Sequence, residues 1–218
     1  VSAGTANDAH SLEARGCGGW RMKLYGMRSS GNCYKALLAA SMLGLELEWV
    51  ETDLFKGETR SPDFLAKNPN GKVPLLELDD GRVLPESNAI LCYLAEGSPL
   101  LPHGRFERAE VLQWLFFEQY SHEPYVAVAR FIAKFLPADH PRRADLPRLR
   151  EKSRDALGVW ETALSMRPYL ACTGFGIADI ALFAYTHDAP AAGIALDEFP
   201  HVTQWLARVR AQPGFLTQ

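Results

Sequence analysis

The sequence is short of most features that announce a function by themselves. Its 218 residues hold no apolar run near the ~18 residues of a membrane-spanning helix, so no bilayer span is expected. It has only four cysteines, Cys17, Cys33, Cys92 and Cys172, with no Cys-x-x-Cys pair and no metal-ligand spacing. That distribution suits a reducing cytosol better than a disulfide scaffold. The six histidines form no ligand cluster, and no metal is expected. Basic charge is also lacking: a net charge of -3 offers no field for nucleic acid. What remains, 47% hydrophobic and 22% charged, is ordinary globular composition for one large or two small domains. Residues 1–21 differ from the rest. They are rich in Ala, Gly, Ser and Asn, and lack both an apolar period and the apolar core of a secretory signal. They are expected to be a disordered leader or a non-native remnant, with Met22 as a natural start.

What is present centres on two short pieces. The first, Asn68-Pro-Asn-Gly-Lys-Val-Pro-Leu-Leu76, is a polar turn running through Val73-Pro74 into an apolar strand. Proline lacks an N–H, so Pro74 belongs at a strand's first residue rather than inside a sheet. With a cis bond before it, the Val73 N–H and C=O would face away from the sheet and pair with an extended ligand. The second piece is Pro85-Glu-Ser-Asn-Ala-Ile90. Ser87 stands where a helix N-cap belongs, with Ala89, Ile90, Tyr93 and Leu94 as an apolar face behind it. Free N–H groups at that helix start favour a carboxylate, and Glu86 beside them suits an ammonium group. A ligand with both charges near one end is an α-amino acid or a γ-linked peptide.

The surrounding pattern is α/β followed by all-α. Met22 to Met27 reads as a strand, Tyr34 to Leu43 as a helix, and Leu45 to Leu54 as a second strand. Ser61-Pro62 caps a short helix through Lys67. A hairpin of Val73–Leu78 and Arg82–Leu84 turns at Asp79-Asp-Gly81, and a helix over Ser87–Glu96 closes the unit. This β-α-β-α-β-β-α order is thioredoxin-like, with a mixed four-stranded sheet over residues 22–97. Residues 98–105 read as a linker, and 106–215 are helical throughout. Asp179 is expected to cap the helix that follows Gly176. Gly176 supplies no hydroxyl for the reciprocal bond, so Gly176→Ser is expected to be neutral or stabilising.

Val-Pro followed by Glu-Ser-Asn-Ala-Ile resembles the glutathione-binding half of the cytosolic glutathione S-transferases. The likeness runs from Met22 to Phe215 and is nearest to bacterial members. It includes Met22-Lys-Leu-Tyr-Gly26, Ser30-Gly-Asn-Cys-Tyr-Lys35, the stretch Trp114 to Pro124, and Ile177-Ala-Asp-Ile180. It implies a homodimer joined through the helices around 87–96 and 106–135, acting in the cytoplasm on glutathione and a small hydrophobic electrophile. The Val73 main chain, followed by Pro74, would pair with the cysteinyl unit, Glu86 and Ser87 would hold the γ-glutamyl end, and Lys72 would approach the glycyl carboxylate. Relatives often carry histidine where this chain has Thr59, with Lys56 or Arg60 as substitutes for that contact.

The remaining task is to ionise the glutathione thiol. Lowering a thiol pKa of about 8.5 by two units needs roughly 2.7 kcal/mol, and one hydrogen bond to a charged group contributes about 1.5–3 kcal/mol. One donor at the head of the first helix suffices. Ser30, at the spacing of theta-like and delta-like members, is the first choice. Cys33, placed as in the beta-type enzymes, is second, and Asn32 third; Ser29 enters if the alignment shifts by one. Each has a purely structural alternative: Ser30 as a cap, Cys33 as a buried small hydrophobe, Asn32 as a turn residue. Trp114, Phe117, Tyr120 and Tyr125 are the candidates for the second-substrate wall, with His122 and Arg130 nearby. The rival activity is a glutathione-dependent thiol–disulfide reductase or peroxidase using Cys33 or the bound thiol. A non-catalytic binder of glutathione or hydrophobic ligands is a further alternative.

Overall fold

The computed structural model describes residues 22–171 and 174–218. The leader expected over 1–21 lies outside the described residues, as does Cys172. Four strands, β1 (Met22–Gly26), β2 (Leu47–Glu51), β3 (Leu75–Glu77) and β4 (Val83–Pro85), form one sheet in the order β2-β1-β3-β4. β1 and β2 run parallel; β3 is antiparallel to both β1 and β4. The parallel pair is joined by helix α1 (Gly31–Leu43). Helices α2 (Pro62–Lys67) and α3 (Ser87–Ala95) complete the mixed α/β unit. α1 begins at Gly31 rather than near Tyr34, because the Ser30 hydroxyl accepts the Cys33 N–H at 3.3 Å and caps it.

The helical part comprises α4 (Arg105–Phe117), α5 (Glu123–Phe135), α6 (Leu146–Leu164), α7 (Ile177–Thr186) and α8 (Pro200–Arg210). α4 and α5 are joined end to end by a π-helical turn, Glu118–His122. Pro124 lacks the N–H that a regular α-turn would use there, so the ladder widens. α1 and α3 lie between two cores. Ala36, Ile90 and Leu94 pack on Leu24 and Leu76 of the sheet, while Tyr34, Leu38 and Leu91 join the large core of α4–α8. Trp160 and Trp205 are fully buried in that larger core. The last residues fold back on α1: the Ser41 hydroxyl donates to Gly214 O, the Tyr34 hydroxyl to Leu216 O, and the Gln218 amide to Arg28 O.

Asp179 sits at the head of α7 with no exposure and accepts three hydrogen bonds among the described residues. They come from Gly176 N–H (3.0 Å), Leu170 N–H (3.1 Å) and the Trp205 indole (2.8 Å). Burial pushes its carboxyl up to about 6 against the pull of these donors. The expectation for Gly176→Ser is overturned. A Cβ at Gly176 would lie 2.7 Å from the Leu100 carbonyl oxygen, which is held there by the Ile177 N–H at 3.0 Å. The glycine is needed for this close approach of two backbones.

Candidate functional site

Between the sheet unit and α5 lies a cleft of about 410 Å³. Its floor is the loop after β1 and the head of α1, with Ser29, Ser30 and Asn32. One wall is the turn before β3, where Asn68 donates from its amide to Lys72 O at 2.8 Å and accepts the Asn70 N–H. That turn presents Lys72, Val73 and Pro74 to the cleft, and the Val73–Pro74 bond is cis. Among the described residues, neither the N–H nor the C=O of Val73 has a hydrogen-bond partner.

Next to it is the start of α3. Ser87 is its first helical residue rather than its cap, and Glu86 holds the cap position with φ 76° and ψ 113°. A non-glycine residue at that φ is uncommon and clusters at ligand sites. The Glu86 side chain is exposed on the cleft wall. Ser87 is nearly buried; its hydroxyl donates to Asn32 Oδ1 at 3.2 Å and accepts from the Lys35 ammonium at 3.3 Å. The Asn32 amide donates to Glu123 Oε1 at 3.4 Å, and its backbone N–H donates to the Tyr185 hydroxyl at 3.2 Å. Gly31 permits that last bond, because a Cβ there would lie 2.6 Å from the Tyr185 ring.

Behind this row is a pair that sequence reasoning missed. Lys35 and Glu118 are both wholly buried and 2.8 Å apart. Glu118 also accepts from the amides of Asn88 (3.0 Å) and Gln119 (2.8 Å). Polar groups from α1, α3 and the π-turn thus form one connected network under the cleft floor. Glu123 sits at its edge, where burial first and the Glu118 charge second push its carboxyl pKa up. The signal in the sequence was a lysine inside the apolar run Cys33-Tyr-Lys-Ala-Leu-Leu38.

Several sequence candidates stand elsewhere. Cys33 has no exposure and does not line the cleft; burial pushes its thiol up to about 11. That is the opposite of the lowered pKa a reactive cysteine has. Thr59 is buried in a short turn, and Lys56 and Arg60 are engaged by Asp53 and by Asn70 O; none of the three lines the cleft. The four aromatic wall candidates are also displaced. Trp114 and Phe117 pack edge-to-face in the large core, Tyr125 packs against that core, and Tyr120 is 84% exposed on the outer side. The face actually turned to the cleft carries Gln119, Glu123, Ala127, Val128, Phe131 and Phe135. Arg130 lines it too, pinned by Asp188 and donating to Ser29 O at 3.1 Å. Leu54 and Phe55 close the opposite lip.

Two family models match the chain: glutathione S-transferase, N-terminal domain, over residues 21–96, and glutathione S-transferase, C-terminal domain, over 113–213. Glutathione S-transferase 3 of Zea mays is 34% identical over 89% of this chain and 91% of its own. The disulfide-bond oxidoreductase YfcG of Escherichia coli is 31% identical over 84% of this chain and 87% of its own. A solved glutathione S-transferase from Pseudomonas fluorescens superposes with a TM-score of 0.87 at 50% identity, covering 90% of this chain and 98% of that one. A glutathione transferase from Pseudomonas putida, solved with one glutathione disulfide per subunit, gives a TM-score of 0.77 at 28% identity, covering 89% of this chain and 88% of that one. Among the described residues, no group of His, Cys, Asp and Glu could hold a metal ion, and no helix is long and apolar enough to cross a membrane.

Proposed function

The chain belongs to the glutathione S-transferase family, and from that premise we propose that it ionises glutathione at the head of α1 and transfers its sulfur to a small hydrophobic electrophile. The observation that carries this is the unpartnered Val73 peptide group on the cleft wall beside the N-terminus of α3. An extended peptide laid along Val73 gains main-chain hydrogen bonds as an added strand does. Its γ-glutamyl carboxylate then meets the free N–H groups of α3, and its ammonium group meets Glu86. Lys72 is the cation available to the glycyl carboxylate.

Ser30 is the proposed activating group. Its oxygen accepts the Cys33 N–H and its hydroxyl lines the cleft, so its proton can be turned to a thiolate there. A hydrogen bond to a charged sulfur, about 1.5–3 kcal/mol, covers a two-unit fall in thiol pKa. Asn32 stands second, since its amide is shared between Ser87 and Glu123. Cys33 drops out through burial. Ser30→Ala is expected to lower kcat at least tenfold while the glutathione Kd stays within about twofold. Unchanged turnover refutes the assignment.

A second reading is reduction of disulfides by glutathione, favoured by the similarity to the Escherichia coli oxidoreductase. It would run through the sulfur of glutathione itself. Assays with an aryl halide and with a glutathione mixed disulfide separate the two. The proposed assembly is a homodimer acting in the cytosol. Tyr93, Phe106, Phe116 and Tyr120 support it, being 46–84% exposed along α3, α4 and the π-turn. A monomeric mass in light scattering would refute it.

A further inference from the structure

The cleft lining supplied by α5, the turn after it and the loop after β2 has a composition that a purely hydrophobic electrophile does not account for. Phe55, from the loop after β2, reaches across to α5. Its ring lies 6.4 Å from that of Phe131 with planes 11° apart, and 5.5 Å from that of Phe135. Arg142, in the short turn Pro141–Asp145 that follows α5, lines the same cleft with its guanidinium 6.0 Å from the Phe131 ring centre. The wall is therefore aromatic and capped by a cation.

The other charged groups of the cleft have partners or tasks. Arg130 is held by Asp188 and Ser29 O. Glu123 is bonded to Asn32, and burial favours its neutral form. Lys72 and Glu86 face the turn and helix that would hold the two ends of the peptide. The Arg142 guanidinium has no hydrogen bond and no ion pair among the described residues. A weakly hydrated planar cation over an aromatic face, beside a cleft, suits bidentate capture of a carboxylate on a ring lying against Phe131.

We propose that the second-substrate half of the cleft selects planar aromatic electrophiles bearing an anionic substituent, and that Arg142 reads that charge. The proposal rests on the transferase reading above and names its substrate class. With 4-chloro-3-nitrobenzoate, the thiol first gives its proton to solvent. The thiolate then attacks the ring carbon bearing chlorine, a C–S bond forms, the C–Cl bond breaks, and chloride leaves with the bonding pair. The carboxylate is unchanged and serves only as the handle.

The test compares 4-chloro-3-nitrobenzoate with the neutral 4-chloro-3-nitrobenzamide, each kcat/KM divided by its uncatalysed rate constant with glutathione. The wild type is expected to favour the benzoate by about tenfold, the scale of one charge-assisted bidentate contact. Arg142→Gln should remove that preference by lowering the benzoate value alone, and Arg142→Lys should restore part of it. Equal effects on both substrates, or no effect on either, overturn the proposal. If the wild type turns over neither aryl halide, the transferase reading fails by itself. Calorimetric binding of 4-nitrobenzoate and 4-nitrobenzamide to the glutathione-loaded protein then decides. Loss of only the benzoate's affinity in Arg142→Gln upholds the anionic aromatic class, and equal affinities overturn it. If Arg142→Gln weakens glutathione disulfide but not the aryl carboxylate, the cation serves a peptide carboxylate and the aromatic class is wrong.

Discussion

Replacing Lys35 by methionine is the sharpest perturbation of the network under the cleft. The ammonium group has three acceptors among the described residues: Glu118 Oε2 at 2.8 Å, Ser87 Oγ at 3.3 Å and Asn88 Oδ1 at 3.5 Å. Methionine nearly fills the volume, so loss of packing is small. What changes is Glu118. Its Oε1 has no partner among the described residues, and its Oε2 would keep the two amide donors of Asn88 and Gln119. Leaving one member of a buried pair unmatched costs about 3–5 kcal/mol. At about 2–4 °C per kcal/mol for a chain of this size, that is roughly 6–20 °C in Tm. Lys35→Met combined with Glu118→Leu removes both charges, and should recover much of the loss, giving a coupling of about 2 kcal/mol or more. Urea unfolding of the four proteins of this cycle, followed by tryptophan fluorescence, measures it. A cost below about 1 kcal/mol for Lys35→Met, or strict additivity in the double variant, refutes the claim that the pair is electrostatically closed.

Four further outcomes are expected. Gly176→Ser should destabilise by about 1–3 kcal/mol, since its Cβ meets the Leu100 carbonyl at 2.7 Å; thermal unfolding at wild-type Tm would contradict this. Cys33 should resist iodoacetamide in the native protein, and Cys33→Ala should keep activity within about threefold; rapid alkylation would show that its thiol is reachable. Arg130→Met frees the Ser29 carbonyl, so kcat should fall more than the glutathione Kd rises; equal changes would mean a binding role. His122 is buried and neutral, with its pKa pushed down to about 3 chiefly by burial. The unfolded chain takes a proton near pH 6.5 and the native chain only near 3. This contribution to stability is therefore complete above about pH 6.5 and lost as pH falls toward 3, at up to about 1.4 kcal/mol per unit. His122→Gln should flatten the slope of unfolding free energy in that window, and an unchanged slope would contradict it.

The thioredoxin-like sheet was readable because each boundary carries its own local chemistry: Asp79-Asp-Gly81 at the hairpin, Ser61-Pro62 at the head of α2, Val73-Pro74 at the start of β3. The cleft residues of the sheet unit were readable for the same reason. The face of α5 was not. Helical periodicity counts 3.6 residues per turn, and the π-turn over Glu118–His122 inserts one residue, turning everything after it by roughly 100°. Tyr125 thereby moved toward the core, while Phe131 and Phe135 moved to the cleft. The role of Lys35 is not visible because a sequence shows a charge but not a partner 83 positions away. The need for Gly176 is not visible in the sequence because the carbonyl that excludes a side chain belongs to Leu100, far away along the chain.

The return of residues 214–218 onto α1 has a consequence for synthesis. The Ser41 and Tyr34 hydroxyls wait for acceptors 173 and 182 positions downstream. A chain emerging from the ribosome can form the sheet unit early, because its strands pair within residues 22–85, yet α1 stays open on one side until residues 214–216 have been made. Arg28, at the edge of the loop that carries Ser29 and Ser30, accepts its bond from Gln218 of the same segment. The loop expected to meet the sulfur is therefore finished by the segment 214–218, so binding of glutathione to a nascent chain should lag behind folding of the domain that holds most of its contacts.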